Sequence, residues 1–363
     1  MTLAHKERYE IGSYFALSDT EIPRIEHKDI DWLPYNGDAS YIFSGRAAIE
    51  YAIRDILNSK SINSVYMPSY CCDSMRYPFI SHNIEIIYYD VHYNINEGIT
   101  YEIDTSVKCD IFFAMSYFGV EEPGLDSEIQ AFFEKGVIVI EDITHRLLYE
   151  APYNTSVHYR IASLRKWFAI PTGGFIVKHN GRLFDKPYID SDKKVIPKIE
   201  AMKEKFQYLQ GVNLNKESYL GKFNEFEKSL CDMDSDYKID SLSVAIIERL
   251  DIKEIRLKRQ KNAKILYEGI KKFSSIKPLV PNPDLSRFCP LFVPVIVTNG
   301  KRNELHKHLI KHNIYCPIHW PKNWGADTGI EEIEISLICD QRYDDSDMRT
   351  ILETIRVWDE MNV

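Results

Sequence analysis

From Ser44 onward the apolar positions switch between two periods. Ile49, Ala52, Ile53, Ile56 and Leu57 recur at helical spacing behind Ser44-Gly45-Arg46, which predicts an amphipathic helix opening at that serine. Short apolar runs follow at 64–67, 85–91, 110–115 and 137–140, with another at 173–177. Their length and β-branched content suit buried strands, with helical or loop segments between them. Strands alternating with helices imply an α/β layered domain around a mostly parallel sheet. Residues 1–40 show no period and read as an arm, and the charged stretch 178–235 reads as helices with a connecting excursion. A long helical pattern covers 241–273, broken near Asp251, and bridges to a second α/β unit. There 290–297, 314–318 and 333–338 are strand-like and 303–312 is helical. Residues 344–361 close the chain as a helix with Asp345 or Ser346 as N-cap. The expected division is an arm and large domain over 1–240, then a linking helix and small domain over 241–363.

Composition narrows this picture. A chain of 363 residues with 44% hydrophobic and 27% charged residues builds two domains with a large core. A formal charge of −9 argues against a nucleic-acid partner, because phosphate neutralisation needs a basic field. The seven cysteines are odd in number, and Cys71-Cys72 are adjacent, which suits neither a zinc site nor an ordinary disulfide. No apolar run is long enough for a membrane span, and the first residues lack the apolar core of a secretion signal. The expectation is a cytoplasmic enzyme with reduced thiols and no bound metal.

The chemistry concentrates in two segments. Lys166 lies in Arg165-Lys166-Trp167-Phe168, seven residues before Gly173-Gly174. Upstream, the apolar run 137–140 leads to Glu141-Asp142-Ile143-Thr144-His145. A lysine to hold an aldehyde as a Schiff base and a carboxylate to keep a pyridine nitrogen protonated are the two groups pyridoxal 5'-phosphate requires. Such a lysine acts as a nucleophile when burial or nearby cations lower its pKa, and Arg165 with its aromatic neighbours offers both. The ordinary alternative is a solvated Arg-Lys pair, against which the apolar flanks and the Gly-Gly argue. Asp142 at a buried strand end needs a cation, although capping the next helix is an equal reading of this segment. His145 suits a hydrogen bond to a ring oxygen, or is a buried structural histidine. Ser44-Gly45-Arg46-Ala47 opens a helix whose free N–H groups suit a phosphate, with Gly45 permitting close approach and Arg46 adding charge. A plain Ser-Gly N-cap has the same appearance. Tyr70 follows the 64–67 strand and stacks on a flat ring or fills a turn.

Taken in chain order, these segments resemble the DegT/DnrJ/StrS family of nucleotide-sugar aminotransferases. Ser44-Gly45-Arg46-Ala47-Ala48-Ile49 is similar to that family's Ser-Gly-Thr-Ala-Ala-Leu. Val65 to Tyr70 resembles its Val-x-x-Pro-x-aromatic segment, and Ser116-Tyr117-Phe118-Gly119 its His-x-Phe-Gly step. Glu141 to His145, the Lys166-to-Gly173-Gly174 spacing, and Ile335 to Tyr343 followed by Asp347-Met348 complete the series over about residues 40–360. The resemblance implies PLP-transferase fold type I, with a large domain around a mostly parallel sheet and a smaller C-terminal α/β domain. It implies a homodimer with shared active sites, acting on a nucleotide-linked keto-sugar with an amino donor such as glutamate. Lys166 would carry the cofactor and move the proton, Asp142 would hold the pyridine nitrogen, and His145 the ring oxygen. Gly45, Arg46, Ala47 and Ser163 would surround the phosphate.

The chain departs from that pattern at several positions. Arg46 replaces the usual threonine, and the serine usual five residues before the lysine is Ile161, with Ser163 at minus three. Cys72 falls where an aromatic commonly stacks on the ring, so either Tyr70 substitutes or the stacking is weak. His319, Trp320, Arg342 and Tyr343, near strand ends of the small domain, are candidates to face substrate, each with a structural role as the plainer reading. The competing functions are a sugar dehydratase or lyase on the same fold, or a family member without catalysis. Retention of Lys166 favours transamination.

Overall fold

The computed structural model describes residues 9–18, 30, 32–33, 36–94, 96–119, 125–150, 152–212, 215–230, 235–326 and 328–362. Most of the expected arm lies outside them. The chain is mixed α/β, with a large, mostly parallel central sheet flanked by helices. It folds as two compact units that interleave in sequence, one of residues 1–58 with 161–250 and the other of 59–160 with 251–363. Neither coincides with 1–240 or 241–363.

The first unit begins its regular structure earlier than expected. Strand Asp38–Ile42 precedes Ser44 and pairs antiparallel with Gly174–Lys178, Ile42 opposite Gly174. Its polar, half-buried Asp-Ala-Ser-Tyr-Ile conceals it in the sequence. The amphipathic helix follows as Gly45–Leu57. The charged stretch resolves into helices Ile196–Leu209 and Lys216–Ser229, which pack Met202, Tyr219 and Phe223 together with Leu17. Tyr14 stacks on Phe223 at 4.0 Å between ring centroids.

In the second unit, strands Ser64–Pro68, Ile111–Met115 and Ile138–Asp142 match the expected apolar runs and pair in parallel. Glu85–Asn94 lies parallel on the other side of Ser64–Pro68, then turns back antiparallel into Gly98–Glu102, a strand the sequence does not announce. Parallel pairing sets Met115 opposite Asp142, so two strands end side by side at their carboxyl termini, where ligands collect on such sheets. A three-stranded antiparallel sheet of Ile276–Pro278, Val293–Val297 and Glu334–Leu337 completes the strands of this unit described below. The long helical pattern breaks where expected. Helix Ser241–Ile247 ends, and Asp251 then caps Ile252–Ile270 by accepting the Glu254 N–H. The closing helix, Asp345–Asn362, is capped by neither expected residue. Asp344 accepts the N–H groups of Ser346 and Asp347, because a cap must precede the first turn it serves.

Candidate active site

The lysine turn is built by the first unit. Strand Tyr159–Ser163 runs directly into a 3-10 turn, Leu164–Lys166, whose flanking Leu164, Trp167 and Phe168 are buried. Lys166 itself is exposed. The apolar flanks hold the turn while leaving the lysine in the open. The charge of Arg165 is engaged elsewhere. Its guanidinium forms a fork on Glu227 at 2.7 and 3.0 Å, and Lys198 meets the same carboxylate at 3.0 Å.

That half-buried triad has its own titration. Burial alone would raise the Glu227 pKa, but Arg165 and Lys198 overturn this and hold it at about 2. Burial pulls Lys198 down to about 8 against the opposing pull of Glu227, with Arg165 adding to the decrease. The Glu227 value lies below its ordinary 4.5, so its contribution to stability is fully present above 4.5. It is lost as pH falls towards 2. Urea unfolding should therefore show wild type losing stability between about pH 5 and about pH 2.5 by more than Glu227→Gln loses. Equal losses would refute the assignment.

The Gly-Gly after the lysine has a steric reason. A Cβ on Gly174 would lie 2.1 Å from the Ser44 carbonyl oxygen, so only glycine lets this strand pass the start of the helix. Gly173 donates its N–H to the Phe43 carbonyl and accepts from Leu164, tying the lysine turn to the same place. Gly174→Ala should cost about 1–3 kcal/mol by overpacking, measured by urea unfolding, and weaken any ligand held at that helix start.

Two expected phosphate residues meet here. The Cβ position of Gly45 is 2.8 Å from the Ser163 Cβ, so the close approach that Gly45 permits is made by Ser163. The other two differ from expectation. The Ala47 N–H is taken by the Ser44 hydroxyl at 3.1 Å, because Ser44 is a true N-cap. Arg46 donates to the Leu230 carbonyl at 2.9 Å rather than standing ready at the helix start. The first turn carries no acidic residue, which keeps the helix end electropositive.

In the second unit, Asp142 ends its strand almost completely buried, with Oδ1 accepting the Thr144 N–H at 2.8 Å. That contact closes an Asx-type turn ahead of the short 3-10 turn Thr144–Arg146, whose N-cap position is Ile143. His145 is fully buried and its Nδ1 accepts the Phe118 N–H at 3.1 Å. A neutral ring then carries its proton on Nε2. The Ser-Tyr-Phe-Gly step explains itself in this arrangement. Phe118 supplies the N–H, and Gly119, at φ +78, sits where a Cβ would be 2.4 Å from the His145 carbonyl.

Tyr70 presents no open face. It is fully buried, stacked on Tyr117 at 5.8 Å and edge-on to Trp320 at 5.1 Å. Cys72, half-buried, places its sulfur 2.8 Å from the Ser74 hydroxyl, at the start of helix Asp73–Ser81. Trp320 lies parallel to His145, at 10° and 5.8 Å, and His319 meets the same ring edge-on at 5.6 Å. Arg342 is gripped by Asp340 through Nε at 2.9 Å and Nη2 at 2.7 Å, and lies over Tyr343 at 5.1 Å.

No protein-family model matches the chain, and no curated protein matches it. Solved structures do. Helicobacter pylori PseC, an aminotransferase involved in the biosynthesis of pseudoaminic acid, covers 97% of this chain and 100% of its own at a TM-score of 0.68 and 11% identity. The PMP form of Spr1654 from Streptococcus pneumoniae, described as a putative sugar aminotransferase, covers 92% and 88% at 0.62 and 15%. A DegT DnrJ EryC1 StrS aminotransferase from Brucella abortus covers 88% and 86% at 0.59 and 12%. The chain has the fold of these aminotransferases.

On this fold the sequence missed residues that hold the candidates in place. Glu227 and Lys198 fix Arg165 from a helix pair whose sequence shows only charge. Glu141, fully buried beside Asp142, pairs with Arg160 at 2.8 Å and with Arg146 at 3.7 Å. Glu334 and Ser336, next to His319, left one legible signal. They alternate with Ile335 and Leu337, so the period of a strand puts both polar groups on one face.

Proposed function

We propose that the chain is a pyridoxal 5'-phosphate-dependent aminotransferase acting on a nucleotide-linked keto-sugar, with an amino acid, glutamate in the first instance, as donor. The observation that carries this reading is a fold shared end to end with an aminotransferase involved in the biosynthesis of pseudoaminic acid, with an exposed lysine on the turn after a strand and Ser163 packed on a helix start.

The residues fit the cofactor. Lys166 offers an accessible amine, and Asp142 a buried carboxylate at a strand end. Gly45 opens a capped helix free of acidic residues in its first turn. When bound, the cofactor supplies an electron sink that lets an amino group pass from donor to acceptor. Lys166 would hold the aldehyde and carry the proton. Asp142 would keep the pyridine nitrogen charged, with its Oδ1 on the Thr144 N–H. Gly45 and Ser163 bound the phosphate, with the helix end attracting its charge. His145 presents a donor at Nε2, oriented by the Phe118 N–H on its other nitrogen. In this reading Trp320, whose ring lies parallel to that of His145, replaces Tyr70 as the aromatic wall.

This reading places the protein in the cytoplasm, as a homodimer whose active sites are shared, in surface-polysaccharide or secondary-metabolite sugar assembly. Among the described residues no helix is long and apolar enough to cross a membrane. Protein loaded with the cofactor and incubated with glutamate and a panel of nucleotide keto-sugars should yield a product that has gained nitrogen, read by mass. A product that has lost water without gaining nitrogen would replace transamination by dehydration. Bound cofactor with no reaction on any panel member would remove sugar amination.

A further inference from the structure

Behind the His145–His319–Trp320 cluster lies a fully buried acid that the proposed reaction leaves without a role. Glu334 starts strand Glu334–Leu337 and makes two contacts with different consequences. Its Oε2 accepts the backbone N–H of His319 at 2.7 Å, which fixes the chain. Its Oε1 accepts the Ser336 hydroxyl at 2.5 Å, and the same hydroxyl oxygen lies 2.9 Å from the His319 Nδ1. A hydroxyl has one proton, so the direction of these two bonds is linked. If the proton of Ser336 points to Glu334, the imidazole must donate from Nδ1, and a neutral ring leaves Nε2 as an acceptor. If Glu334 carries a proton and donates to Ser336, the hydroxyl is released to donate to Nδ1. The ring then carries its own proton on Nε2.

We propose that Glu334, acting through the Ser336 hydroxyl, sets which ring nitrogen of His319 is protonated. The imidazole Nε2 is therefore an acceptor or a donor according to the state of a carboxyl one hydroxyl away. Glu334 and Ser336 are positioning residues, since neither touches the site directly. The use of that tautomer on substrate rests on the aminotransferase reading. The linkage between the three residues does not.

The surroundings make the switch accessible. Burial raises the Glu334 carboxyl to about 8, against the opposing pull of Ser336, the His319 N–H and Arg302. Among the described residues, Arg302, Cys316 and Tyr70 interact with it electrostatically. Arg302, on helix Arg302–Lys311, donates to the Glu334 and Glu331 carbonyls at 3.1 and 2.9 Å. Burial pushes the Cys316 thiol up to about 12, and it pushes the Tyr70 phenol well above its usual value. Both stay neutral while Glu334 titrates. The ring of His319 is held meanwhile between Phe118 at 5.7 Å, Phe292 at 5.0 Å and His145 at 5.6 Å, so its protons, not its position, have to change.

The test is nitrogen-15 NMR of the full chain, labelled at histidine and free of cofactor, with the His319 signals assigned by His319→Gln. Raising the pH from well below to well above 8 should exchange the two ring nitrogens, the proton moving from Nε2 to Nδ1. Ser336→Ala removes the connecting hydroxyl, and Glu334→Gln removes the ionisation. Each should leave His319 in one tautomer across the range. A single tautomer in the wild type overturns the proposal, and so does a transition that persists in either variant. Because neither cofactor nor substrate is present, this result stands apart from the nitrogen-transfer assay, and each can fail without the other.

Discussion

Lys166→Ala should abolish amino transfer while leaving the fold intact. The removed amine is the only group assigned both to hold the cofactor aldehyde and to move a proton. Losing the proton carrier alone lowers kcat by about 10²- to 10⁴-fold, and losing the attachment adds to that. Stability should not follow. Lys166 is exposed, while the turn is fixed by buried Leu164, Trp167 and Phe168. Urea unfolding of the cofactor-free variant should thus agree with wild type within about 0.5 kcal/mol. Borohydride reduction of cofactor-saturated wild type should leave a pyridoxyl adduct on the peptide containing residue 166, absent from the variant. An unmodified wild-type peptide, or a variant that turns over at the wild-type rate, would end the assignment of Lys166.

The parts of this molecule that were legible in the sequence are those where local pattern and tertiary demand coincide. Buried parallel strands must be apolar on both faces, so Ser64–Pro68, Ile111–Met115 and Ile138–Asp142 stood out as continuous runs. Glycines at close approaches were also legible, although their partners were not. Gly45 and Gly174 were marked as special, but Ser163 and the Ser44 carbonyl as the atoms that demand them belong to tertiary structure. Strand Tyr159–Ser163 was hidden because Arg160 interrupts its apolar run. Arg160 is buried there only because Glu141, nineteen positions earlier, is buried with it. Tyr70 illustrates where two readings could not be separated. An aromatic in a loop after a strand suits a ligand platform, yet Tyr117 and Trp320 close over it. Whether a loop side chain faces inward depends on residues remote in sequence, and no local period records it.

Glu141 carries the largest expected effect on stability. Its side chain is fully buried, and so is nearly all of Arg160, whose Nε meets it at 2.8 Å. Arg146 approaches from the other side at 3.7 Å. One carboxylate therefore compensates two guanidinium groups in a low-dielectric interior. Glu141→Gln keeps the shape and a hydrogen-bonding oxygen, so it opens no cavity and removes only the charge. Breaking a buried pair from one side leaves the partner uncompensated, which costs about 3–5 kcal/mol. Here Arg160 retains the Asn154 carbonyl at 2.7 Å and Arg146 retains the Ser116 hydroxyl at 3.3 Å, so hydrogen bonds alone would predict a small change. The two accounts separate in urea unfolding of the cofactor-free protein. A loss under about 1 kcal/mol would show that those contacts suffice. A loss of the full amount should extend to Asp142, the next residue along the same strand. In that case Glu141→Gln should bind the cofactor more weakly, although it touches no part of it.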